Sequence, residues 1–555
     1  MRIRKISSYL LGMLLFASCS TKQTVEAPKE APFTWDNANV YFLLTDRFNN
    51  GNTENDVNFD RTKETAKLRG FMGGDIKGIT NKIESGYFDK LGVNAIWFSP
   101  VVEQIHGSVD EGTGNTYGFH GYWAKDWTKI EPNFGTDAEL AELVKKAHQH
   151  GIRIILDVVI NHTGPVTEKD PVWPDEWVRT SPQCKYDNYK NTVTCTLVKN
   201  LPDVKTESTE EVQLPQQLMD KWKAEGRLKQ EMEELELFFS RTGLKRTPRN
   251  YIIKWLTDYI REYGVDGFRI DTAKHTEEEV WGDLWKEAVV AFADWKQAHP
   301  QEVLDNQPFY MVGEVYNYGI SGGRLFDFGD RKVDYFAQGM HSMINFEFKW
   351  DAKNSYEEIF AKYSKLLHTK LKGLSVLNYA ASHDDGAPFD QMREHSFMIA
   401  NKLLLCPGAS QIYYGDETAR PLKVEGAVGD ANLRSFMNWD EINNNTVRNG
   451  DKVDDILTHW QKLGTFRKWH PSVGAGVHKM ISEKPYVFSR TYKTENMADQ
   501  VVVGLDMDKG KKELPMNGVF ANGAQLKDYY SGKTVKVKNG KVAIDTPFSI
   551  VLLGK

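Results

Sequence analysis

The segment Gly267–Phe268–Arg269–Ile270–Asp271–Thr272–Ala273–Lys274–His275, GFRIDTAKH in one-letter code, begins as an apolar strand and ends with polar and charged residues. Side chains alternate along a strand, so Arg269 and Asp271 are predicted to share one face. A guanidinium beside a carboxylate favours the ionised carboxylate. Asp271 is therefore a candidate nucleophile at a strand end, although an isolated Arg-x-Asp pair is usually an ordinary ion pair.

Short β-rich runs like this one alternate with helical stretches from about residue 38 onward. Eight strands are predicted, at Val40–Leu44, Ala95–Phe98, Ile152–Val159, Gly267–Ile270, Phe309–Val312, Ile344–Phe348, Ser375–Tyr379 and Gln411–Tyr414. Helical patterns between them include Asp137–His150, Tyr251–Tyr263, Glu277–His299 and Tyr356–Leu371. This alternation predicts an α/β fold with a parallel sheet, and eight units favour a (β/α)8 TIM barrel over the competing doubly wound topology.

Two regions interrupt the alternation. Residues 163–208, after the third strand, are rich in Pro, Trp, Thr and Asp and are predicted to form an inserted domain B. Residues 209–248 have a charged, helical pattern and are interpreted as a helical insert of the barrel. The catalytic barrel is then expected at 37–162 and 209–468, and a C-terminal antiparallel β-sandwich domain at 469–555, where strand patterns replace helical ones.

The first residues have the features of an export signal. Arg2, Arg4 and Lys5 precede the apolar run Tyr9–Ala17, which is too short to span a membrane as a mature helix. Small residues before Cys19 are typical of a bacterial lipobox. Residues 1–18 are therefore predicted to be a lipoprotein signal peptide, Cys19 the lipidated residue and 19–36 a tether, with plain cleavage and an incidental cysteine as the alternative.

Charge and cysteine content narrow the possible functions. The chain has 70 Lys and Arg against 76 Asp and Glu, a net charge of −6, with no basic block, so nucleic-acid binding is not expected. Cys184 and Cys195 lie in one polar segment and fit a local disulfide in an exported chain. Cys406 lies in an apolar run and is expected to be a buried thiol.

Polar residues stand where several predicted strands end. They are Asp157 and Asn161–His162 at the third strand, Arg269 and Asp271 at the fourth, Glu314 at the fifth and His383–Asp384 at the seventh. The carboxyl ends of barrel strands converge on one face, so these side chains are expected to meet. A single carboxylate at a strand end is usually structural, but three of them with His and Arg beside them are not explained in that way.

Glycoside cleavage is the chemistry that needs such a set. One carboxyl group must donate a proton to the leaving oxygen, and a second must attack the sugar or activate water. Glu314 follows an apolar run and would face Asp271, which suits a proton donor that stays protonated at neutral pH. Asp271 suits the nucleophile, and Asp384 would add negative charge near the cationic transition state.

The motifs around these residues resemble the α-amylase family, glycoside hydrolase family 13. The four signature regions of that family are similar to DVVINH at 157–162, GFRIDTAKH at 267–275, Gly313–Glu314 and SHD at 382–384, in the same order. LPD at 201–203 resembles its fifth region. A longer set looks most like the periplasmic α-amylases of Gram-negative bacteria: VYFLLTDRF at 40–48, GGD at 73–75, EQIHG at 103–107, HGYWAKDW at 120–127, LPDVKTES at 201–208 and IYYGDE at 412–417.

The resemblance implies a retaining hydrolase of internal α-1,4 bonds in starch and maltodextrins. It makes Asp271 the nucleophile, Glu314 the acid/base and Asp384 the transition-state stabiliser. The implied sugar contacts are His120, Tyr122, His162, Arg269, Lys274, His275 and His383, with Tyr122 stacked on the reacting ring and Lys274 and His275 on the leaving-group side. Asp157 is expected to orient its neighbours rather than to touch sugar.

Calcium is the cofactor that the resemblance implies, because hard cations take several oxygen ligands. A first site would be formed by Asn161, Asp203 and the His275 carbonyl. A second would combine Asn50, Asn52, Asn55, Asp56 and Asp75 with the Gly73 carbonyl, although an Asx-rich turn explains that cluster as well.

Three functional alternatives share these residues. The main prediction is a monomeric α-amylase, anchored by lipid in the envelope of a Gram-negative bacterium, facing the periplasm or the cell surface. A neopullulanase, maltogenic or transglycosylating enzyme would use the same mechanism. A non-catalytic glucan-binding lipoprotein would be expected to lack at least one catalytic carboxylate, and all three are present.

Overall fold

Eight parallel strands close into a barrel in the computed structural model, which describes residues 31–495 and 497–555. In chain order the barrel strands are β1 Asn39–Leu43, β2 Ala95–Phe98, β3 Arg153–Val158, β4 Gly267–Ile270, β5 Tyr310–Gly313, β6 Ser342–Asn345, β7 Ser375–Tyr379 and β8 Ala409–Tyr413. Each strand pairs with its neighbours in sequence order, and β1 closes the ring against β8. The predicted (β/α)8 barrel is confirmed.

Nine helices of eight or more residues surround or extend the barrel in the described ranges. They are α1 Ile76–Glu84, α2 Asp137–Gln149, α3 Gln216–Ala224, α4 Leu228–Thr242, α5 Pro248–Tyr263, α6 Glu278–Ala298, α7 Tyr356–Leu367, α8 Ser396–Leu404 and α9 Val453–Trp469. Shorter α-helices are Thr45–Phe48, Tyr87–Lys90, Lys190–Val193, Phe348–Asp351, Trp439–Asn443 and Ser472–Ala475. The 3-10 turns are Trp35–Asn37, Thr53–Asn55, Ala273–His275, Ile320–Gly322, Tyr335–Gln338, Asp416–Thr418 and Gly429–Leu433.

The connection between β5 and β6 departs from the βα pattern. It contains the 3-10 turns Ile320–Gly322 and Tyr335–Gln338 and a hairpin of Phe326–Asp327 with Lys332–Val333, in place of an α-helix. Strand β6 also lies earlier than predicted. Asn345 at its end donates a hydrogen bond to Asn378 Oδ1 at 2.8 Å, across to β7. The apolar residues that follow it belong to a short helix rather than to the strand.

The segment after β3 contains little regular structure. A hairpin pairs Val178–Arg179 with Asp203–Val204, and a disulfide joins Cys184 to Cys195. Other two-stranded pairs are Val102–Gln104 with Ala124–Ile130, Val109–Asp110 with Asn115–Thr116, and Val447–Arg448 with Asp451–Lys452. Pro32–Lys555 form one compact unit, so the domain boundaries drawn from the sequence stay a prediction.

The C-terminal region is antiparallel, as predicted. Its strands are β9 Val477–Ser482, β10 Tyr486–Lys493, β11 Ala498–Leu505, β12 Gly510–Pro515, β13 Gln525–Asp528, β14 Thr534–Lys536, β15 Lys541–Thr546 and β16 Val551–Gly554. Six form one sheet in the order β9-β10-β11-β16-β13-β14, and β12 pairs with β15. Val502 and Leu526 of the larger sheet share one buried core with Leu514 and Val542 of the pair.

Candidate active site

The barrel register brings the charged residues of β3, β4 and β5 together. Arg269 lies opposite Asp157 of β3 and Val312 of β5. The chain turns immediately after Asp271, where Thr272 adopts a left-handed conformation with φ of 47°. This conformation is uncommon for a residue with a side chain. It lets the Thr272 N–H donate to Glu314 Oε2 at 2.8 Å, so the turn after β4 also holds the carboxyl group at the end of β5.

Arg269 is the centre of the cluster. Its Nη1 lies 2.7 Å from Asp271 Oδ1 and 2.9 Å from Asp157 Oδ1, and its Nη2 lies 3.0 Å from Glu314 Oε2. The guanidinium side chain is 1% exposed. Charge-assisted hydrogen bonds of this kind are stronger than neutral ones and fix geometry. One buried cation therefore positions three carboxyl groups from three strands.

Asp157 orients the cluster, as expected from the sequence. Its Oδ2 accepts hydrogen bonds from the Tyr122 hydroxyl at 2.7 Å and from Trp97 Nε1 at 3.0 Å. Burial raises the pKa of Asp157, and the neighbouring Arg269 opposes that rise. Both oxygens are engaged by protein donors, so this carboxyl group acts on its neighbours rather than on a ligand.

Glu314 has the environment of a proton donor. Burial raises its pKa, the charge of Arg269 opposes the rise, and the nearby Asp271 and Asp384 reinforce it. A carboxylic acid in such a place keeps its proton at a pH where an ordinary glutamate has lost it. Asp271 and Glu314 contact different terminal nitrogens of one guanidinium, so the two carboxyl groups lie side by side, as the close pair of a retaining glycosidase must.

Asp384 lies at the mouth of the site, with 46% of its side chain exposed. Its Oδ2 lies 3.0 Å from His383 Nε2, and its Oδ1 is paired with Arg434. Desolvation by the surrounding protein opposes the charged form, but His383 and Arg434 outweigh it and hold the pKa of Asp384 well below its usual range. Asp384 is therefore a fixed negative charge facing the open cleft.

The aromatic and histidine residues form one wall of the site. The Tyr122 and His383 rings are parallel, with centroids 5.2 Å apart and an interplanar angle of 17°. His162 Nε2 donates to the Tyr122 carbonyl at 3.1 Å, and His120 Nδ1 accepts from the Tyr122 N–H at 3.1 Å. Burial lowers the pKa of His120, of His162 and of His383, which favours the neutral form of each ring.

Lys274 and His275 lie on the 3-10 turn after Asp271. His275 Nδ1 donates to the Thr192 carbonyl at 3.2 Å, inside the disulfide-closed loop. Lys274 Nζ donates to the Tyr316 carbonyl at 3.3 Å and lies 5.0 Å from the Tyr316 ring centroid. The disulfide loop and the segment after Glu314 thus support opposite sides of this turn.

One cavity contains the carboxyl groups of Glu314 and Asp384 at its wall, and a second cavity lies beside the inserted segment. The first, of about 370 Å³, is lined by Arg269, Glu314, His383 and Asp384 together with the exposed rings of Tyr316 and Trp350, which are 49% and 51% exposed. The second, of about 800 Å³, is lined by Trp123 and by Asp110, Thr180, Lys199 and Asn200, which lie around the inserted segment. Trp123 adjoins the catalytic wall, since its ring lies 4.7 Å from His120.

The first predicted calcium site contains a carboxylate oxygen that accepts no hydrogen bond from the described residues. Asp203 is 1% exposed, and its Oδ2 has no hydrogen-bond partner among the described residues; Arg179 Nε, 3.0 Å away, is not aligned to donate. Asn161 Oδ1 receives only a long bond of 3.4 Å from the Thr276 hydroxyl. The Val204 N–H donates to the Asn161 carbonyl at 2.8 Å and so ties the two segments together. These oxygens fit a hard cation.

The structure separates the residues of the second predicted calcium site into two groups. Asn50 Oδ1 and Asn55 Oδ1 are buried without a hydrogen-bond partner in the part of the chain that the structure describes, and Asn50 Nδ2 donates to Asp56 Oδ1 at 2.9 Å. Gly73 lies against this pair, because a Cβ there would be 2.4 Å from Asn50 Nδ2. Asp75 and Asn52 form the other group, and their oxygens accept hydrogen bonds from the backbone. Asp75 caps α1 and accepts from the N–H groups of Gly51, Asn52 and Gly78. Asn52 Oδ1 accepts from the Glu54 N–H.

A metal site can also be formed by His, Cys, Asp and Glu side chains alone. Within residues 31–495 and 497–555, no group of three or more such side chains is arranged to hold a metal ion. Both predicted calcium sites also use amide and carbonyl oxygens, which such clusters do not include. The two calcium sites therefore stay predictions. Cys19 lies outside the described residues.

Sequence reasoning missed three contributors to the site. Arg434, which binds Asp384 and donates to the His383 carbonyl at 3.1 Å, lies 50 residues beyond the motif it serves. Trp97 ends an apolar strand and looks like an ordinary core residue. Trp350 belongs to the short helix Phe348–Asp351, which begins at the last residue of the predicted strand Ile344–Phe348. The only available signal was the position of Trp97 at a strand end.

A buried acid, a carboxylate paired with Arg269 and a third, exposed carboxylate at one end of a (β/α)8 barrel define a glycoside hydrolase. The family described as "Alpha amylase, catalytic domain" matches residues 42–476. The chain is 35% identical to the periplasmic α-amylase of Escherichia coli (strain K12) over 540 residues, covering 87% of this chain and 74% of that protein. It therefore belongs to the α-amylase family and is a glycosidase of α-glucans.

Two further comparisons extend this result. A cyclomaltodextrin glucanotransferase of Geobacillus stearothermophilus is 26% identical over 556 residues, which cover 96% of this chain and 69% of that protein. The crystal structure of an Anoxybacillus α-amylase superposes with a TM-score of 0.64, covering 94% of this chain and 99% of that one, at 23% identity. At that identity the structural likeness shows the fold alone.

Proposed function

We propose that the chain is an endo-acting, retaining α-amylase that cleaves internal α-1,4 bonds of starch and maltodextrins. The observation that carries the proposal is the contact of Asp271 and Glu314 with one guanidinium, which lines a cavity that Asp384 also lines. Asp271 attacks the anomeric carbon, Glu314 protonates the leaving oxygen, and Asp384 stabilises the positive charge that develops on the sugar. Glu314 then takes the proton of the attacking water.

Internal cleavage requires a groove in which a glucan extends past the reacting bond in both directions. An exo-acting enzyme needs a wall that stops the chain end. Here the cavity with Tyr316 and Trp350 is lined by Glu314. The cavity with Trp123 adjoins His120, because the two rings lie 4.7 Å apart. We infer that a bound glucan occupies both cavities.

The product profile on amylose over time tests this proposal. Endo action gives a range of long oligosaccharides early and a rapid loss of iodine staining, whereas release of one short product from the start would contradict it. The 26% identity to a cyclomaltodextrin glucanotransferase motivates one alternative, transglycosylation. Cyclic or elongated products from maltoheptaose would support that alternative, and cleavage of pullulan at α-1,4 bonds would support a neopullulanase.

Calcium would be held by Asn161 and Asp203 with the His275 carbonyl, and by Asn50, Asn55 and Asp56 with the Gly73 carbonyl. Bound there, calcium would supply charge that stabilises the loops around the site. Three oxygens that accept no hydrogen bond within the described ranges support this assignment: Asp203 Oδ2, Asn50 Oδ1 and Asn55 Oδ1.

Export and lipid anchoring at Cys19 are part of the same proposal. Their support is the basic and apolar character of residues 1–18 and the periplasmic relative of E. coli. No helix in the described part of the chain is long and apolar enough to cross a membrane. Cys19→Ser should release the protein from the membrane fraction and abolish incorporation of labelled palmitate; unchanged labelling would exclude Cys19 as the modified residue.

A further inference from the structure

A cleft of about 790 Å³ lies between the outer surface of the barrel and the C-terminal sheets. Its walls come from the start of α7, from α8 and α9, and from the loops before β12 and β16. It shares no lining residue with the cavity at the carboxylates. Its volume is in the range of about 300–1,000 Å³ that is usual for ligand sites. We call it the outer cleft.

Half-buried aromatic rings line the outer cleft. Phe397, Tyr530 and Phe548 pack partly against the core and remain partly accessible. The Tyr530 and Phe548 rings lie 5.0 Å apart at 75°, and Lys462 Nζ lies 4.5 Å from both centroids. These contacts hold the two rings as one rigid aromatic corner.

A buried histidine fixes the orientation of Tyr530. His459 is 4% exposed; its Nε2 lies 3.1 Å from the Phe397 carbonyl and its Nδ1 lies 2.8 Å from the Tyr530 hydroxyl. A carbonyl can only accept, so Nε2 carries the hydrogen and Nδ1 accepts from the tyrosine. The cleft is thus pre-organised, which reduces the entropy lost on binding.

Hydrogen-bond donors and acceptors both line the outer cleft. Lys353 and Lys509 supply donors, and Asp506 supplies acceptors. Asn401 Oδ1 is buried in the wall without a hydrogen-bond partner in the described ranges, while its Nδ2 donates to the Tyr356 hydroxyl at 3.4 Å. A buried unpaired acceptor is costly, so this oxygen favours a ligand with hydroxyl donors. Ring faces beside mixed donors and acceptors match a pyranose, whose faces are apolar and whose edge carries hydroxyls.

Trp350 links the outer cleft to the active site. Its ring lines the catalytic cavity, and Lys353 Nζ of the outer cleft lies 5.1 Å from its centroid. A glucan segment held in the outer cleft would therefore keep the rest of the same polymer near the carboxylates. Such a second contact raises the effective concentration of a long substrate without changing its cleavage.

We propose that the outer cleft is a second α-glucan-binding site that retains polymeric substrate. The proposal rests on α-glucans being the substrate of the catalytic groove. The variant to test is Tyr530→Ala combined with Phe548→Ala, compared with unmodified enzyme and with Trp469→Ala, an aromatic residue that is 38% exposed outside this cleft. Binding to starch granules and kcat/KM on maltotetraose are measured for all three proteins.

The double variant should bind granules roughly tenfold more weakly than the other two proteins. Its kcat/KM on maltotetraose should stay within about twofold of the unmodified enzyme. Granule binding equal to that of the unmodified enzyme would overturn the proposal. If the unmodified enzyme cleaves no α-glucan at all, the proposed function fails instead, so the two failures are distinguishable.

Hydrogen exchange on the unmodified enzyme gives a second measurement that does not depend on the variants folding. β-Cyclodextrin should slow exchange in residues 506–509 and 547–550, which line the outer cleft, as well as near the carboxylates. Protection confined to the catalytic groove at saturating β-cyclodextrin would overturn the proposal.

Discussion

Replacing Arg269 with lysine tests whether one guanidinium organises the active site. Its two terminal nitrogens contact Asp157, Asp271 and Glu314 at 2.7–3.0 Å, and the side chain is 1% exposed. Lysine keeps the charge, but its single nitrogen cannot reproduce contacts made by two separate nitrogens. At least one charge-assisted hydrogen bond is lost, at about 1.5–3 kcal/mol.

That loss predicts a fall in kcat/KM of roughly 10- to 150-fold for Arg269→Lys on maltoheptaose. Arg269→Gln also removes the charge and leaves buried carboxylates unpaired, at about 3–5 kcal/mol, so we expect a fall of roughly 150- to 4,000-fold or an unfolded protein. Thermal unfolding followed by circular dichroism separates these outcomes.

Arg393→Lys is the matched control. Arg393 is 6% exposed and lies 2.8 Å from Asp416 Oδ1, away from the carboxylates of the groove. It should lower the melting temperature without changing kcat/KM. If Arg269→Lys kept kcat/KM within about twofold of the unmodified enzyme, the central role of the guanidinium would be refuted.

Three further predictions concern the proton donor Glu314, the aromatic residue Tyr122 and calcium. Glu314 acts in its protonated form and its pKa is raised, so kcat should hold through neutral pH and fall as the pH rises through that raised value; a pH profile that already falls near the ordinary carboxyl range of about 4–5 would contradict this. Tyr122→Phe keeps the ring but removes the 2.7 Å hydrogen bond to Asp157. The loss of about 1–2 kcal/mol of transition-state stabilisation should lower kcat/KM roughly tenfold. An unchanged kcat/KM would mean that this hydrogen bond does not position the cluster. A chelator should lower the melting temperature, and by a smaller amount in Asp203→Ala and in Asp56→Ala; identical melting curves with and without chelator would exclude both calcium sites.

Features set by local pattern could be predicted from the sequence. Strand β4 was predicted with its observed bounds because an apolar run ends sharply at Asp271. Strand β6 was misplaced because Ser342 and Asn345 are polar residues buried in the barrel, while the apolar Phe348 that follows begins a helix. Apolar periodicity cannot find a strand that buries polar side chains, such as Asn345, which hydrogen-bonds to Tyr363 and Asn378 on neighbouring elements.

Prediction of the active-site residues was limited in the same way. Strand-end carboxylates could be found because barrel topology brings strand ends together. Arg434 could not, because it belongs to an irregular segment after β8 and its contact with Asp384 depends on tertiary folding alone. Asp75 and Asn52 have the right chemistry for calcium, but the sequence could not show that backbone N–H groups at a helix start and a turn also donate to their oxygens.

Trapping the glycosyl-enzyme tests the central claim, that Asp271 is the nucleophile, most directly. Fluoride leaves without protonation, so Glu314→Gln should still be glycosylated by α-maltosyl fluoride, while the missing base slows attack by water. Mass spectrometry of the digested protein should then find a maltosyl adduct on the peptide containing Asp271, and the unmodified enzyme should release its product first as the α-anomer. An adduct on another residue, or a product released first as the β-anomer, would contradict the account.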